Sequence, residues 1–370
     1  MKVLFVVNDL DFFLSHRLPL AYEGINRGYD VLVASNRIPI KEYNTVRFIS
    51  FNINRSSLSI AKNINSIIKL KIIINDFSPD LIHCITLKPI LYTNILCLFN
   101  YKIRIVNAIS GLGYLFTQKR NSIEKLIIKT LFKVIIKKSS AHYIFQNHQD
   151  LNEFKRLGIK NNYKLIRGSG VNQKELQYVR PKNSKKLSIT YTGRILKDKG
   201  VFDLIKAVEL LPKHLKSRII LNLYGKIDLK NPSHILEQDL KKKLLPELII
   251  WHGHSNQIKK DLIETDIYCL PSYREGLPKS TIEAMAIGRP ILTTNAPGCD
   301  DTVEEGVNGF KVNTGDYVAL SEKLKVLIEN EEIRIQMGLK SRELFLEKFT
   351  LKNVISETFN LYNTLIKSKY

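Results

Sequence analysis

Glu275 and Glu283 stand in a Glu-x7-Glu spacing within PSYREGLPKSTIEAMAIGRPILTTNAPG, residues Pro271–Gly298. Gly276, Leu277 and Pro278 lie between them, where a loop runs into the start of a helix. The first-turn N–H groups of a helix point outward unpaired and its dipole favours negative charge, so such a start is a ready anion site. Carboxylates beside it accept hydrogen bonds from hydroxyls while the amides hold phosphate. A ligand carrying both kinds of group, a nucleotide sugar, fits that chemistry. Ser280-Thr281-Ile282-Glu283 also spells a capping box, in which Glu283 would cap its own helix and do nothing more. Glu275 has no equivalent structural use.

A second group of residues, Tyr191-Thr192-Gly193-Arg194 followed by Lys199-Gly200, comes at the end of a strand, the edge at which doubly wound sheets place ligands. Gly193 lets the backbone come close to a ligand, and Arg194 and Lys199 supply two cations across one loop. Taken by itself the pair also describes a solvated surface loop. Breaking a sugar–phosphate bond leaves a nucleotide diphosphate with added negative charge. Fixed cations and amides at that place therefore stabilise the transition state more than the ground state.

The elements that must position these residues follow an α/β rhythm. Short β-branched runs alternate with helical patterns, the mark of parallel sheets with crossover helices. Strands are expected at 2–7, 31–35, 81–85, 103–109, 143–146 and 164–166, with helices at 16–28, 57–77, 89–99, 123–137 and 149–157. The polar, basic stretch 173–186 has linker composition. The alternation restarts with a strand at 187–192 and a helix at 201–211, then strands at 219–224, 248–251, 267–270, 290–293 and 309–312. The organisation read from this is a first domain over 1–172, the linker 173–186, a second domain over 187–350 and a closing helix over 351–370. Two tandem α/β units imply a cleft between them, where ligands usually bind.

The two site segments together, E-G-L-P-x4-E-A-M-A-x-G-x-P over residues 275–290 and G-R-x4-K-G over 193–200, resemble the retaining GT-B glycosyltransferases of family 4, of the bacterial surface-polysaccharide type. The resemblance implies an α/β GT-B fold: two Rossmann-like domains facing across a cleft, with a C-terminal helix that crosses back to the first. It implies that Arg194, Lys199 and Glu275 are catalytic, the two cations on the donor's diphosphate and Glu275 on the sugar's hydroxyls. Gly193, Gly276, Leu277, Pro278 and Ser280 would complete the donor site, and Glu283 would take the ribose hydroxyls. Retention of anomeric configuration would proceed by attack from the leaving-group face, with no protein nucleophile and no cofactor or metal. Relatives place a histidine before the glycine at Ser110-Gly111; here the residue is Ser110, so that donor contact must differ. The loop Asn8–Arg17 lacks the glycine pair common in relatives and offers His16 and Arg17 as acceptor contacts instead.

Other motifs are weaker. Asp9-Leu10-Asp11 spells D-x-D, a divalent-ion motif of a different glycosyltransferase fold, but it follows the first strand of the chain, the wrong place for that role. Asp300-Asp301 reads as a polar loop, and no His/Cys cluster has zinc spacing. His83 is as readily a core histidine as a ligand, and His252 and His254 carry no stronger signal. Ser169-Gly170-Val171-Asn172 reads as a hinge.

Composition sets the remaining bounds. With 44% hydrophobic and 25% charged residues in 370, the chain is globular and long enough for two cores. Cys84, Cys97, Cys269 and Cys299 show no C-x-x-C spacing and read as buried thiols of a reducing compartment. No run approaches the ~18 apolar residues of a membrane span, so a cytoplasmic location is expected. The net charge of +22 is uneven: residues 1–180 hold 27 Lys+Arg against 11 Asp+Glu, a net of +16. That excess points to an anionic partner. On the helix 121–138, Lys125, Lys129, Lys133 and Lys137 form one stripe opposite Ile123, Leu126, Ile127, Leu131, Val134 and Ile135. A core-packed helix with a solvated lysine edge would show this pattern, and so would a helix resting on anionic lipid. The expected partners are a nucleotide-sugar donor, a lipid-linked glycan acceptor and an anionic membrane surface at the inner face of the cell membrane. A sugar-nucleotide isomerase on the same scaffold is the alternative. A nucleic-acid binder is a weaker one, for want of any RNP-type aromatic motif or helix-turn-helix signal.

Overall fold

A computed structural model describes residues 1–43, 45–53, 64–97, 103–112, 123–181 and 185–367. It divides into two compact units, Met1–Ser169 with Lys352–Tyr370, and Gly170–Leu351. No helix among the described residues is long and apolar enough to cross a membrane.

The first unit opens with β1 (Lys2–Val7), α1 (Leu10–His16), α2 (Leu18–Asn26), β2 (Asp30–Ser35) and β3 (Arg47–Ser50). It continues through α3 (Ile64–Phe77), β4 (Leu81–Ile85), α4 (Leu87–Cys97), β5 (Arg104–Ile109), α5 (Ile123–Lys138), β6 (His142–Phe145), α6 (His148–Leu157) and β7 (Tyr163–Leu165). The seven strands are parallel in the order β3-β2-β1-β4-β5-β6-β7. Alternate residues of β1 serve opposite faces, as a pleated strand requires. Leu4 and Val6 pack in one core with α3, α4, α5 and α6, while Val3, Phe5 and Val7 pack in the other with α1 and α2.

Two elements differ from the sequence expectation. The helix expected over 16–28 is α2, and the stretch before it, expected to be a loop, carries a further helix, α1, the two separated at Arg17. Asp9 caps α1 through its carboxylate, accepting from the amides of Asp11 and Phe12, and Pro19 sits in the first turn of α2, where its missing N–H costs nothing. The D-x-D spelling is thereby accounted for locally, since Asp11 pairs with Arg37 at 2.6 Å. The edge strand β3 went unseen because its four residues are half-exposed and show no apolar run. Of the helix expected over 57–77, residues 57–63 lie outside the described residues, and α3 carries the rest.

The second unit contains β8 (Leu187–Thr192), α7 (Val201–Leu210), α8 (Lys213–Lys216), β9 (Ile219–Tyr224), α9 (Glu237–Lys241), β10 (Ile249–Gly253) and α10 (Ile258–Ile263). There follow β11 (Ile267–Leu270), α11 (Lys279–Ala286), β12 (Ile291–Thr294), β13 (Gly309–Val312), α12 (Tyr317–Glu329) and α13 (Glu331–Lys348). Its six parallel strands run β10-β9-β8-β11-β12-β13. The stretch expected to be a linker is packed rather than free over its first part. Leu176 is buried, the Val179 amide donates to the Ile287 carbonyl at 3.2 Å, and the buried Arg289 guanidinium donates to the Val179 carbonyl at 2.6 Å.

The last helix, α14 (Leu351–Lys367), returns to the first unit, where Val354, Phe359, Leu361, Tyr362 and Leu365 complete the core that holds Val3, Phe5 and Val7. Tyr362 brings a hydroxyl to the buried His83, bonding its Nδ1. Burial, with Arg17 nearby, pushes the His83 pKa down to about 3. The folded chain therefore refuses a proton that the unfolded chain takes up near its ordinary value. The resulting stability is complete above about pH 6.5 and declines as pH falls toward 3, by ~1.4 kcal/mol per pH unit for one proton. Thermal melts of wild type and His83→Gln from about pH 7 down to about pH 4 check this. The wild-type melting temperature should fall more steeply, and equal slopes would count against a neutral buried His83.

Candidate active site

In the second unit, two loops at the C-terminal ends of β8 and β11 are laced together by their backbones. The Tyr273 amide donates to the Asp198 carbonyl at 2.9 Å, and the Ser272 hydroxyl donates to the same oxygen at 3.2 Å. Gly200, in the left-handed region at φ +69°, brings its Cα so near the Pro271 carbonyl that a Cβ there would collide with it. The result is an ion pair between Lys199 Nζ and Glu275 Oε1, with side chains 16% and 14% exposed. Residues 76 apart in sequence thus meet as a mostly desolvated pair.

Glu275 is held from behind as well. Its amide donates to the Pro297 carbonyl at 2.8 Å. Gly298 lies beneath at φ +77°, and a Cβ on it would stand 2.5 Å from the Gly276 carbonyl oxygen and 2.6 Å from that of Glu275. Leu277 is buried and Pro278 is the N-cap residue of α11, which no side chain caps. Because the helix begins at Lys279, Ser280 sits within its first turn and Glu283 is too far along to close a capping box. Glu283 instead approaches Lys279 at 3.8 Å. Burial raises its carboxyl above the ordinary range, Lys279 and Lys259 pull it back, and Glu175 pushes it up. Lys259 and Glu175 are themselves an ion pair.

Arg194 lies on the same loop as Lys199 but pairs with Asp228 at 2.8 Å, with 43% and 27% of the side chains exposed. Exposed pairs are worth only ~0–1 kcal/mol, so a diphosphate can take the guanidinium from Asp228 at small cost. Gly193 donates its amide to the Tyr224 carbonyl at 3.0 Å, and the Tyr191 hydroxyl donates to the Arg194 carbonyl at 2.7 Å, which fixes the start of the loop.

Sequence reasoning missed a buried hydroxyl chain under α11. The Tyr268 hydroxyl, on β11, donates to Ser280 Oγ at 2.7 Å, and Thr192 Oγ1 lies 3.0 Å from the same phenol. With Tyr268 donating, Ser280 is left to donate its own proton elsewhere at the helix start. An unbroken apolar run, Ile267–Leu270, gave no sign that its tyrosine hydroxyl had a polar partner.

The remaining predicted residues lie in the first unit. Ser110 and Gly111 follow β5; Ser110 Oγ accepts from Gln146 Nε2 at 3.5 Å, and Gly111 has φ +99°. His16 is half-buried and stacks on Phe12 with ring centroids 4.3 Å apart. Arg17 corrects the sequence reading: it is buried, and its guanidinium donates to the Gly168 carbonyl at 3.2 Å instead of facing an acceptor. Burial lowers its pKa to about 10, so it stays cationic at neutral pH. His83, as described above, belongs to the core. Among the described residues no group of three or more His, Cys, Asp and Glu side chains is arranged to hold a metal.

Comparison with known proteins places both units. Residues 172–344 match the family model of glycosyl transferases group 1, and residues 2–147 match that of glycosyl transferase 4-like proteins. The chain is 31% identical over 179 residues to the capsular polysaccharide biosynthesis glycosyltransferase CapM of Staphylococcus aureus, covering 48% of this chain and 46% of CapM. It thus spans about half of that relative's length. It is 27% identical over 277 residues to the N,N'-diacetylbacillosaminyl-diphospho-undecaprenol alpha-1,3-N-acetylgalactosaminyltransferase of Campylobacter jejuni, covering 70% of each. Among solved structures, sucrose-phosphate synthase of Thermosynechococcus elongatus superposes with a TM-score of 0.83 at 16% identity, covering 100% of both chains. HepE of Anabaena, solved with UDP and glucose, gives 0.79 at 18% identity, covering 98% of this chain and 100% of HepE. These likenesses show the GT-B fold.

Two pairs of substitutions test the site's construction. Gly298→Ala should cost ~1–3 kcal/mol in a denaturant melt and weaken nucleotide-sugar binding, since the methyl must displace the Glu275 loop. Gly306→Ala, also at positive φ but with nothing within 4 Å of its Cβ, should leave binding alone. Tyr268→Phe should weaken binding by ~3–10-fold, the worth of one hydrogen bond. Ser280→Ala should add little on top of it, and fully additive losses in the double mutant would show that the two hydroxyls act independently.

Proposed function

We propose, on the premise that this chain is a GT-B glycosyltransferase with a 4-like first domain and a group 1 second domain, that it transfers a sugar from a UDP-linked donor to a lipid-diphosphate oligosaccharide in surface-polysaccharide synthesis. The reaction retains anomeric configuration and needs no metal, and it takes place at the inner, anionic face of the cell membrane. The observation that carries this reading is the Lys199–Glu275 ion pair beside the uncapped start of α11. An acid that can accept from sugar hydroxyls and a cation that can face a diphosphate stand there within one contact of each other.

The chemistry follows from where charge develops. As the sugar–phosphate bond breaks, the departing diphosphate gains charge that Arg194, Lys199 and the first-turn amides of α11 are placed to meet. Ser280 adds a hydroxyl donor, Glu275 orients the sugar and Glu283 takes the ribose. Attack from the leaving-group face needs no nucleophile from the protein. The names of relatives support the acceptor class: one acts on a diphospho-undecaprenol substrate and another serves capsule synthesis. The +16 excess of residues 1–180 suits an acceptor carrying a diphosphate at an anionic surface.

Purified protein should release UDP from a matching UDP-sugar when given a polyprenyl-diphosphate saccharide, and the product should keep the donor's anomeric configuration by NMR. Glu275→Gln, which leaves Lys199 an oxygen to bond, should slow release by ~10²–10³ with the fold intact by circular dichroism. Undiminished turnover in that variant, or an altered nucleotide sugar formed without acceptor, would overturn the reading.

A further inference from the structure

Helices α3 and α5 lie on the same face of the first unit's sheet, and α4 packs against both. Each turns a row of aliphatic side chains to solvent: Ile64, Ile68 and Ile72 on α3, and Leu126, Ile127 and Val134 on α5, all between 42% and 67% exposed. At about 100° of rotation per residue, the α3 row lies opposite the buried Leu70, Ile73, Ile74 and Phe77. The α5 row likewise lies opposite the buried Phe132, Ile135 and Ile136. Both rows therefore point away from the sheet on the same side. This corrects the sequence reading of α5, which assigned Leu126, Ile127 and Val134 to a face opposed to the lysines. The structure instead puts them on the solvent side with Lys133 and Lys137. The side chains of Ile123 and Lys125 lie outside the described residues.

Exposed lysines accompany both rows, Lys69 and Lys71 on α3 and Lys133 and Lys137 on α5. Surface aliphatics scattered singly need no explanation, but two rows turned the same way on the helices that pack against α4 do. A second copy of the chain is a poor cover, because it would set one half of net charge +16 against another. A bilayer with anionic headgroups covers both features together. The aliphatic side chains enter the interface, and each lysine near the surface is attracted by the headgroup charge. We infer that the outward faces of α3 and α5 form a two-helix surface that seats the first unit on an anionic lipid bilayer. This deepens the membrane part of the proposed function and is independent of the transfer chemistry.

The test is flotation of the full chain with phosphatidylcholine vesicles, with and without phosphatidylglycerol, alongside UDP-sugar binding by calorimetry. Wild type should float with the anionic vesicles only. The double variant Ile68→Ser, Ile127→Ser should lose affinity by at least about tenfold, from the lost apolar burial. Replacing Lys69, Lys71, Lys133 and Lys137 by glutamine should abolish the preference for phosphatidylglycerol. Leu210→Ser, an equally exposed leucine of the second unit, serves as control and should bind as wild type does. Failure of wild type to float, or undiminished flotation of the double variant, would overturn the inference. So would a dimer in light scattering that the double variant dissociates while vesicle binding persists. Loss of flotation with calorimetry unchanged isolates the surface, whereas absent nucleotide-sugar binding with flotation intact would defeat the transfer reading alone.

Discussion

The approach of two backbones in the second unit governs everything at the edge where β8 and β11 end. Lys199 can reach Glu275 only because Gly200 lets its loop press on Pro271, and Glu275 is aimed only because Gly298 lets a third segment lie beneath it. Both glycines sit in the left-handed region, so the backbone path and the absence of a side chain are needed at once. The paired side chains are thus set by contacts among loops that the parallel sheet carries to one edge. No single helix or strand holds both partners. A preorganised cation–acid pair of this kind requires little rearrangement when charge appears on a leaving group.

The sequence made the sheets legible where their strands are buried on both sides. β1, β4 and β11 read as apolar runs whose limits coincide with those observed, because central parallel strands need no polar face; the limits of β8, β9 and the edge strand β13 coincide as well. β3 was invisible for the opposite reason, being short, half-exposed and at an edge. Glu275 stood out by type and spacing, and the fold brings Lys199 to it. The companions of Glu283 were not, since Lys259 and Glu175 come from segments that only the fold brings near. Arg17 misled because a charged residue after a strand suggests a ligand contact, whereas here a carbonyl in the interior holds it. On α5 the period of the pattern was right but its orientation was not. Helical periodicity separates two faces without saying which of them meets the sheet.

Behind the residues that would touch a donor lies a layer that only orients them. Tyr268 and Thr192 are buried hydroxyls whose partners are each other and Ser280, and Tyr191 secures the carbonyl of Arg194. Arg289, fully buried, donates to the carbonyls of Val179 and Ile263 and so ties the entry segment of the unit to the turn after α11. Buried polar groups persist when they are satisfied, and satisfied ones specify a single arrangement of the parts they join. Here those parts are the loops bearing the cations and the helix start facing them.

The return of α14 to the first unit makes that unit discontinuous along the chain. On the ribosome, residues 1–169 emerge with one side of their sheet lacking Val354, Phe359 and Tyr362, and His83 lacking its phenol. The intervening 170–351 must be translated before that side can close. Domains generally fold as they leave the tunnel, first ones first. In this chain the second unit, contiguous and self-contained, can finish before the first, and the flank of the nascent first unit stays uncovered until α14 arrives.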